Sequence, residues 1–149
     1  MKDKIGEQIK EWESIHKEQD DFYHKAAQWA GLSDAAYWVL YRIFNTKESV
    51  IQSGLCKDNF FPKQTINSAV ARLNTLGYIN LVVQTGNGNR KLLELTLEGN
   101  LFCEQYIKPM IQAERDSFII LTEEEREMLL YLMKKQLKGM KQGAKYLWQ

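Results

Sequence analysis

The stretch from Pro62 to Thr96 constrains the fold of this chain more than any other part of the sequence. Pro62 suits the first position of a helix, because its φ is already helical and its missing N–H is not needed there. Three apolar residues then recur at the spacing of a helix packed on a core: Ile66, Val70 and Leu73. Gly77 follows the last of them, as expected for a C-terminal cap in the left-handed conformation.

Two apolar runs follow this predicted helix, Tyr78 to Val83 and Lys91 to Thr96. The segment between them is polar and rich in glycine and asparagine, which is typical of a hairpin with a long tip. A helix followed at once by such a hairpin is the outline of a winged helix-turn-helix. We therefore predict a mainly α (α+β) fold, a winged helix-turn-helix with a two-stranded wing.

Charge is unevenly distributed along the sequence. From Asn59 to Leu93 there is no Asp or Glu, but there are six asparagines and four cations, Lys63, Arg72, Arg90 and Lys91. The rest of the chain has 16 basic and 19 acidic residues, so the overall net charge of +1 is the sum of +4 in this segment and −3 in the remainder. Such a segment is either a buried, charge-poor region or a nucleic-acid surface, and its amide content favours the second interpretation.

The remaining composition predicts a single domain, residues 1–149, of a soluble protein. No apolar run approaches the ~20 residues needed to span a bilayer, and the polar N-terminus lacks the apolar region of a signal peptide. We therefore expect a cytoplasmic protein with no membrane partner. Cys56 and Cys103 are far apart and show no metal-ligand spacing, so no metal site is predicted. A packing role is favoured for both cysteines, and no cofactor is expected.

Further helices are predicted on both sides of the central stretch. Two of these helices are expected before the central stretch over about 4–30 and from Ser33, and a short third one over 48–56 precedes a turn at 58–61. After the central stretch we expect one helix over 100–118, interrupted by Pro109, and one that starts after Thr122 with a capping box to Glu125. The first and last have apolar stripes and lie outside a DNA-binding module of about 33–97. Helices 4–30 and 100–145 either fold back on that module or pair with a second copy. Pairing is favoured, because a homodimer places two recognition helices on a palindrome.

Several local sequences resemble the MarR family of winged-helix transcription regulators. The resemblance covers nearly the whole chain and rests on the order and spacing of five segments: Gly31-Leu32-Ser33, residues 62–68 (PKQTINS), Leu76-Gly77-Tyr78-Ile79, Leu95-Thr96-Leu97-Glu98-Gly99 and residues 121–125 (LTEEE). The family usually carries Asp-x-Arg at the wing tip, with the arginine in the minor groove. Those positions fall here on Asn87 and Asn89, and Arg90 follows one residue later.

The candidate DNA contacts lie on the predicted recognition helix and wing. The helix face opposite the apolar stripe carries Gln64, Ser68, Ala71 and Thr75, flanked by Asn67 and Arg72. Gln and Asn can pair bidentately with adenine and Arg with guanine. Lys63 and Thr65 suit phosphate contacts near the helix N-terminus. The predicted interface is therefore Lys63, Gln64, Thr65, Asn67, Ser68, Arg72, Asn89, Arg90 and Lys91.

The resemblance also implies an effector pocket where the terminal helices meet the DNA module. Its candidates by position are His16, Trp29, Tyr37, Trp38 and Tyr41, for a small aromatic or apolar effector. Aromatic residues at helical spacing are also typical of a core, so both interpretations stay open. Cys56 and Cys103 are alternatives for oxidant sensing, as in some relatives, although packing is favoured.

The sequence thus predicts a transcriptional regulator that binds double-stranded DNA as a homodimer. Repression of a palindromic operator, with release by a small-molecule effector, is the form the resemblance implies. The alternative is a winged-helix adaptor that acts through protein contacts without sequence-specific DNA binding. An enzyme is not predicted, because the chain shows no nucleophile elbow, phosphate-binding glycine loop or metal-ligand spacing.

Overall fold

The computed structural model of the protein describes residues 3–86 and 88–147. Two compact units follow one another along the chain, one up to Met110 and one from Ile111 onward. The elements in the described residues, in order, are α1 (Lys4–Trp29), α2 (Asp34–Phe44), β1 (Val50–Ile51), α3 (Gln52–Lys57), α4 (Lys63–Thr75), β2 (Ile79–Gln84), β3 (Arg90–Leu95), α5 (Leu97–Tyr106), α6 (Lys108–Ile119) and α7 (Glu123–Gly143).

Helix α2 provides the centre of the first unit. Its start at Ser33 is confirmed, since the Ser33 hydroxyl accepts the N–H of Ala36 at 3.2 Å. Six of its eleven residues are buried, as expected for a largely apolar helix. The largest fully buried side chains of the unit are Val39 and Leu40 of α2 together with Leu55, Ile66, Val70, Leu73, Ile79, Cys103 and Ile107.

Helix α4 forms where the central stretch predicts a helix, and its apolar face is the predicted one. Ile66, Val70 and Leu73 are all buried. Gly77 lies just past its end with φ +76°, which confirms the left-handed cap. The helix begins one residue later than expected, because Pro62 has an extended ψ of 145° and is the N-cap residue.

The wing is an antiparallel sheet of three strands in the order β1-β3-β2. The predicted hairpin of β2 and β3 is confirmed, with Leu81 opposite Leu93. The prediction of a helix from residue 48 was wrong at its start, because Val50 and Ile51 form strand β1 against the other edge of β3. These two β-branched residues suit a strand, and the free edge of β3 supplies their hydrogen-bonding partners.

One threonine joins the end of α4 to the end of the wing. The Thr96 N–H donates to the carbonyl oxygen of Tyr78 at 3.1 Å, and its hydroxyl donates to the carbonyl oxygen of Gly77. The same hydroxyl accepts the N–H of Gly99 at 2.9 Å and so caps α5. The predicted start of this helix near residue 100 was therefore wrong, since Thr96 caps a helix that begins at Leu97. The two segments that resemble the MarR family on either side of the wing are thus in direct contact.

The helices near the C-terminus follow the sequence signals closely. The predicted interruption near Pro109 is confirmed, because α5 ends at Tyr106 and α6 begins at Lys108. The predicted capping box is also present, with reciprocal hydrogen bonds between Thr122 and Glu125. No helix in residues 3–86 and 88–147 is long and apolar enough to cross a membrane.

Gly99 provides a test of the junction between wing and helices. A Cβ at this position would lie 1.9 Å from the carbonyl oxygen of Tyr78, which is backbone and cannot turn aside. Gly99→Ala is therefore expected to lower the free energy of unfolding by about 2 kcal/mol or more, within the range of overpacking costs. Urea denaturation followed by circular dichroism measures this change.

Gly139→Ala is the matched control for that substitution. Gly139 lies within α7 and a Cβ there meets nothing within 4 Å, so alanine should stabilise that helix by about 0.5–1 kcal/mol. Equal effects of the two substitutions would contradict the close packing of Gly99 against Tyr78.

Candidate nucleic-acid interface

The turn before α4 is held by side chains of α2. The Trp38 ring stacks on Phe60 with centroids 5.3 Å apart and contacts Phe61 at 5.9 Å. The Arg42 guanidinium lies over the same ring and pairs with the Asp58 carboxylate at 2.9 Å. The Arg42–Asp58 ion pair is partly exposed, so it contributes within about 0–1 kcal/mol to stability. The stacking of Trp38 on Phe60 and Phe61 also holds the turn in place. These contacts attach the turn before α4 to α2.

Helix α4 presents its polar residues to solvent. Because its buried face consists of Ile66, Ala69, Val70 and Leu73, the other faces remain accessible. All six residues predicted to contact DNA from this helix are exposed: Lys63, Gln64, Thr65, Asn67, Ser68 and Arg72. The wing residues Asn89, Arg90 and Lys91 are exposed as well.

An open cleft of about 520 Å³ separates α4 from the wing. Its lining includes five of the nine predicted residues: Lys63, Asn67, Asn89, Arg90 and Lys91. The other four, Gln64, Thr65, Ser68 and Arg72, lie on α4 outside this lining. The fold therefore brings the first half of α4 and the start of β3 to one surface, although they are more than 20 residues apart in sequence.

This cleft is electrostatically one-sided. Its lining contains three cations, Lys63, Arg90 and Lys91, and no carboxylate. Ion pairs of the protein include His24–Asp34, Arg42–Asp58 and Lys108–Glu104. Within the described residues, none of the four cations of the acid-free segment is paired with an acid. Unpaired cations around a concave surface produce the positive potential that attracts a polyanion.

The tip of the wing is shaped by asparagine and glycine. Asn89 has φ +51°, a left-handed conformation that asparagine tolerates better than most residues. Arg90 follows as the first residue of β3 and pairs in register with Gln84. Asn87, which aligns with the aspartate of the family's wing tip, lies outside the described residues.

Helix α3 also lines the cleft through Gln52, Ser53 and Cys56, none of which was among the predicted DNA contacts. The Gln52 Nε2 donates to the Asn67 Oδ1 at 2.9 Å, and the Cys56 Sγ lies 3.9 Å from the same oxygen. Gln52 and Asn67 are 15 residues apart, so no local sequence pattern predicts their contact. Only the packing of α3 against α4 brings them together.

The two cysteines occupy different environments. Cys103 is fully buried in α5, as expected for a cysteine that packs in the core. Burial, with a smaller contribution from the nearby Glu104 charge, raises the pKa of the Cys103 thiol to about 12. Cys56 is half-buried at the cleft, and oxidant sensing by it stays a prediction.

The five candidate effector residues fall into separate groups of contacts. His16 packs on Trp12, with ring centroids 4.1 Å apart. Trp29 packs on the Tyr106 ring at 4.8 Å, and the buried Tyr37 hydroxyl donates to the Tyr106 carbonyl oxygen at 2.9 Å.

The other two candidates lie elsewhere on α2. Trp38 faces Phe60 and Phe61, and the hydroxyl of the half-buried Tyr41 accepts a hydrogen bond from Asn45 at 3.4 Å. Trp38 thus anchors the turn before α4. Tyr106, which contacts both Trp29 and Tyr37, was not among the sequence candidates. An effector site stays a prediction.

A helix-turn-helix followed by an antiparallel wing, with a cationic cleft between them, defines the winged-helix class of fold. No protein-family model matches the chain, and no curated protein sequence matches it. Solved structures do match. NMB1585, a MarR family regulator from Neisseria meningitidis, has a TM-score of 0.73 at 17% identity, over 93% of this chain and 96% of that one.

Two further solved structures agree with this assignment. MepR of S. aureus in complex with DNA has a TM-score of 0.70 at 18% identity, over 87% of this chain and 93% of that one. A mutant of MarR from E. coli has a TM-score of 0.61 at 21% identity, over 92% and 98% of the two chains. The chain therefore has the winged-helix fold of the MarR-family regulators, and the resemblance seen in its sequence is confirmed at the level of fold.

The difference between the two thiols gives a direct test of the cleft. A disulfide reagent such as DTNB at pH 8 is expected to modify Cys56 in the native protein, because that thiol is partly accessible. Cys103 should react only after unfolding, because it is buried and its pKa is raised to about 12. The absorbance of the released thiolate counts reactive groups per chain.

Cys56→Ser is the control for this measurement and should leave no rapidly reacting thiol. Rapid release in the folded Cys56→Ser variant would contradict the burial of Cys103.

Proposed function

We propose that this protein is a DNA-binding transcriptional regulator that inserts α4 into the major groove and lays the wing along the adjacent backbone or minor groove. The observation that carries this proposal is the cleft between α4 and the wing, which is lined by three cations and several amides and by no carboxylate. Cations neutralise phosphates and supply affinity, whereas amides and arginine on a helix read base edges. The DNA complex of the structurally similar MepR supports the same use of the fold.

We propose that the nine exposed polar residues of α4 and the wing divide into two groups by role. Lys63 and Thr65 lie in the first turn of α4, where N–H groups and the helix dipole favour phosphate. Gln64 lies in the same first turn, and Asn67, Ser68 and Arg72 lie further along the helix. These four residues are assigned to base edges. Asn89, Arg90 and Lys91 contact the backbone or the minor groove from the wing.

The functional form that we propose is a homodimer. Large apolar side chains of the terminal helices are exposed in the single chain, among them Ile5, Ile9, Phe22, Leu129, Leu132, Met133, Leu137 and Met140. Their exposure supports pairing, because contiguous exposed apolar surface marks sites of association. A twofold-symmetric dimer would present two α4 helices about one helical turn of DNA apart and so would favour a palindromic operator.

Repression and effector release are the finer parts of the proposal. A dimer that occupies an operator overlapping a promoter excludes other proteins without needing any activating surface, so repression is the simpler assignment. For release we retain the candidate residues His16, Trp29, Tyr37, Trp38 and Tyr41. Trp29 and Tyr37 share a contact with Tyr106, so a small aromatic or apolar ligand near them would act on α1, α2 and α5 together.

Selection of bound fragments from the host genome tests the function. We expect a single enriched sequence with twofold symmetry, and two chains per duplex when the complex is examined by sedimentation equilibrium. Equal, weak binding to every duplex would instead favour a winged-helix adaptor that acts through protein contacts. Enrichment of an asymmetric site that is occupied by one chain would support DNA recognition but would overturn the proposal of a homodimer.

Arg90 is expected to contact phosphate or to respond to groove width, and not to distinguish one base from another. Arg90→Ala should therefore weaken binding to the selected site and to unrelated duplexes by a similar factor. It should also lower the slope of log K against log salt by about one, since each phosphate contact contributes about 0.9 to that slope. Fluorescence anisotropy titrations at several salt concentrations measure both quantities.

Lys17→Ala is the matched control for Arg90→Ala. It removes one cation from an exposed position of α1, outside the cleft, and should leave the slope unchanged. A slope that is also unchanged in Arg90→Ala would remove Arg90 from the interface.

A further inference from the structure

Asn67 is exposed on α4 and lines the cleft, but half of its carboxamide is already engaged. Its Oδ1 accepts a hydrogen bond from the Gln52 Nε2 at 2.9 Å, and the Cys56 Sγ lies 3.9 Å from the same oxygen. A carbonyl oxygen has two lone pairs, and two groups able to donate converge on this one. The amide oxygen of Asn67 is thus directed at α3, and its Nδ2 carries the hydrogens that remain available.

The environment of Gln52 supports this orientation of the two amides. Turning over the Gln52 amide alone would bring two carbonyl oxygens within 2.9 Å of each other. Turning over both amides would move the Gln52 NH2 group to the place of its Oε1, which is buried and has no hydrogen-bond partner among the described residues. A buried donor without an acceptor is rarer in proteins than an under-satisfied carbonyl, so the arrangement in which Gln52 donates is the stable one.

We propose that Gln52 is a specificity-determining residue that acts through Asn67, and this inference rests on the proposed DNA-binding function. Bidentate pairing with adenine needs both halves of the asparagine amide, one to accept from N6 and one to donate to N7. Because Gln52 and Cys56 occupy the oxygen, Asn67 offers only donors to the duplex. Guanine presents two adjacent acceptors, N7 and O6, in the major groove. Asn67 therefore selects guanine over adenine at the purine it faces, contrary to the pairing expected of an unrestrained asparagine.

The location of Asn67 is suitable for such a contact. It is the fifth residue of α4, one helical turn after Lys63, and the N-terminal part of a recognition helix is the part that contacts base edges. Gln52 itself is half-buried beneath it in α3, so its effect on sequence preference is exerted through Asn67.

The test inverts the hydrogen-bonding sense at position 52. In Gln52→Glu the new carboxylate can only accept, so it draws the NH2 group of Asn67 towards α3 and turns the amide oxygen outwards. Fragment selection and anisotropy titrations should then show the preference at one position of each half-site moving from guanine to adenine. We expect a change of roughly tenfold in the ratio of the two affinities, the size of one base-edge contact.

Ser53→Glu is the matched control for charge. Ser53 lies on the same cleft and makes no hydrogen bond to Asn67 within the described part of the chain. This variant should weaken binding to all duplexes while the guanine preference stays unchanged. An equal shift of preference in Ser53→Glu would overturn the proposal, because charge alone would then explain the change.

A double-mutant comparison separates positioning from direct contact. In an Asn67→Ala background, Gln52→Glu should no longer alter base preference, although it still lowers affinity. A shift that persists without the Asn67 amide would overturn the proposal, since position 52 would then contact the base itself. Gln52→Ala provides a neutral second variant, which frees Oδ1 and should reduce the discrimination between guanine and adenine.

Failure of this inference is distinguishable from failure of the proposed function. If the wild-type protein selects a site, but neither Gln52→Glu nor Gln52→Ala changes any base preference there, the proposed function stands and the role of Gln52 is overturned. A wild-type protein that selects no sequence would overturn both. Thermal unfolding of each variant confirms that the compared proteins are folded.

Discussion

The burial of one face of α4 is the constraint on which the rest of the molecule depends. Ile66, Val70 and Leu73 can be removed from water only when the helix is rotated so that its amides and cations face outwards. Each of these side chains contributes about 1.5–3 kcal/mol when fully buried, which far exceeds the energy of any exposed polar contact on the opposite face. The orientation of the candidate interface is therefore a consequence of core packing and needs no ligand to maintain it.

The polar contacts around this helix refine what the core has positioned. Trp38 and Arg42 hold the turn at its start, and Thr96 joins its end to the wing and to α5. Thr96 thereby joins one end of the wing to the end of α4, while the other end of the wing carries Asn89 and Arg90 across the cleft. This arrangement combines a helix whose polar face is exposed with a basic tip on a hairpin, and the proposed DNA-binding function depends on that combination.

Much of this could be predicted because the signals are local. The glycine after α4 and the proline in the first turn of α6 end or start a helix through their backbone conformation, and Thr122 starts α7 through its side-chain hydroxyl. The third strand could not be predicted in this way, because Val50 and Ile51 become a strand only when the edge of β3 is beside them. The same holds for Gln52, whose hydrogen bond to Asn67 joins residues on different helices.

The sequence by itself determined where most of the helices lie, which face of α4 is apolar, and that the acid-free segment carries four cations and six asparagines. Periodicity, capping and charge are properties of neighbours along the chain, so they are visible without coordinates. Only the tertiary structure decided that Lys63 and Asn67 share a cleft with Arg90 and Lys91, and that the Asn67 oxygen is held by α3. Those relations depend on the packing of α3, α4 and the wing around one core, because the distance between two side chains of different elements is set by the core and not by their separation in sequence.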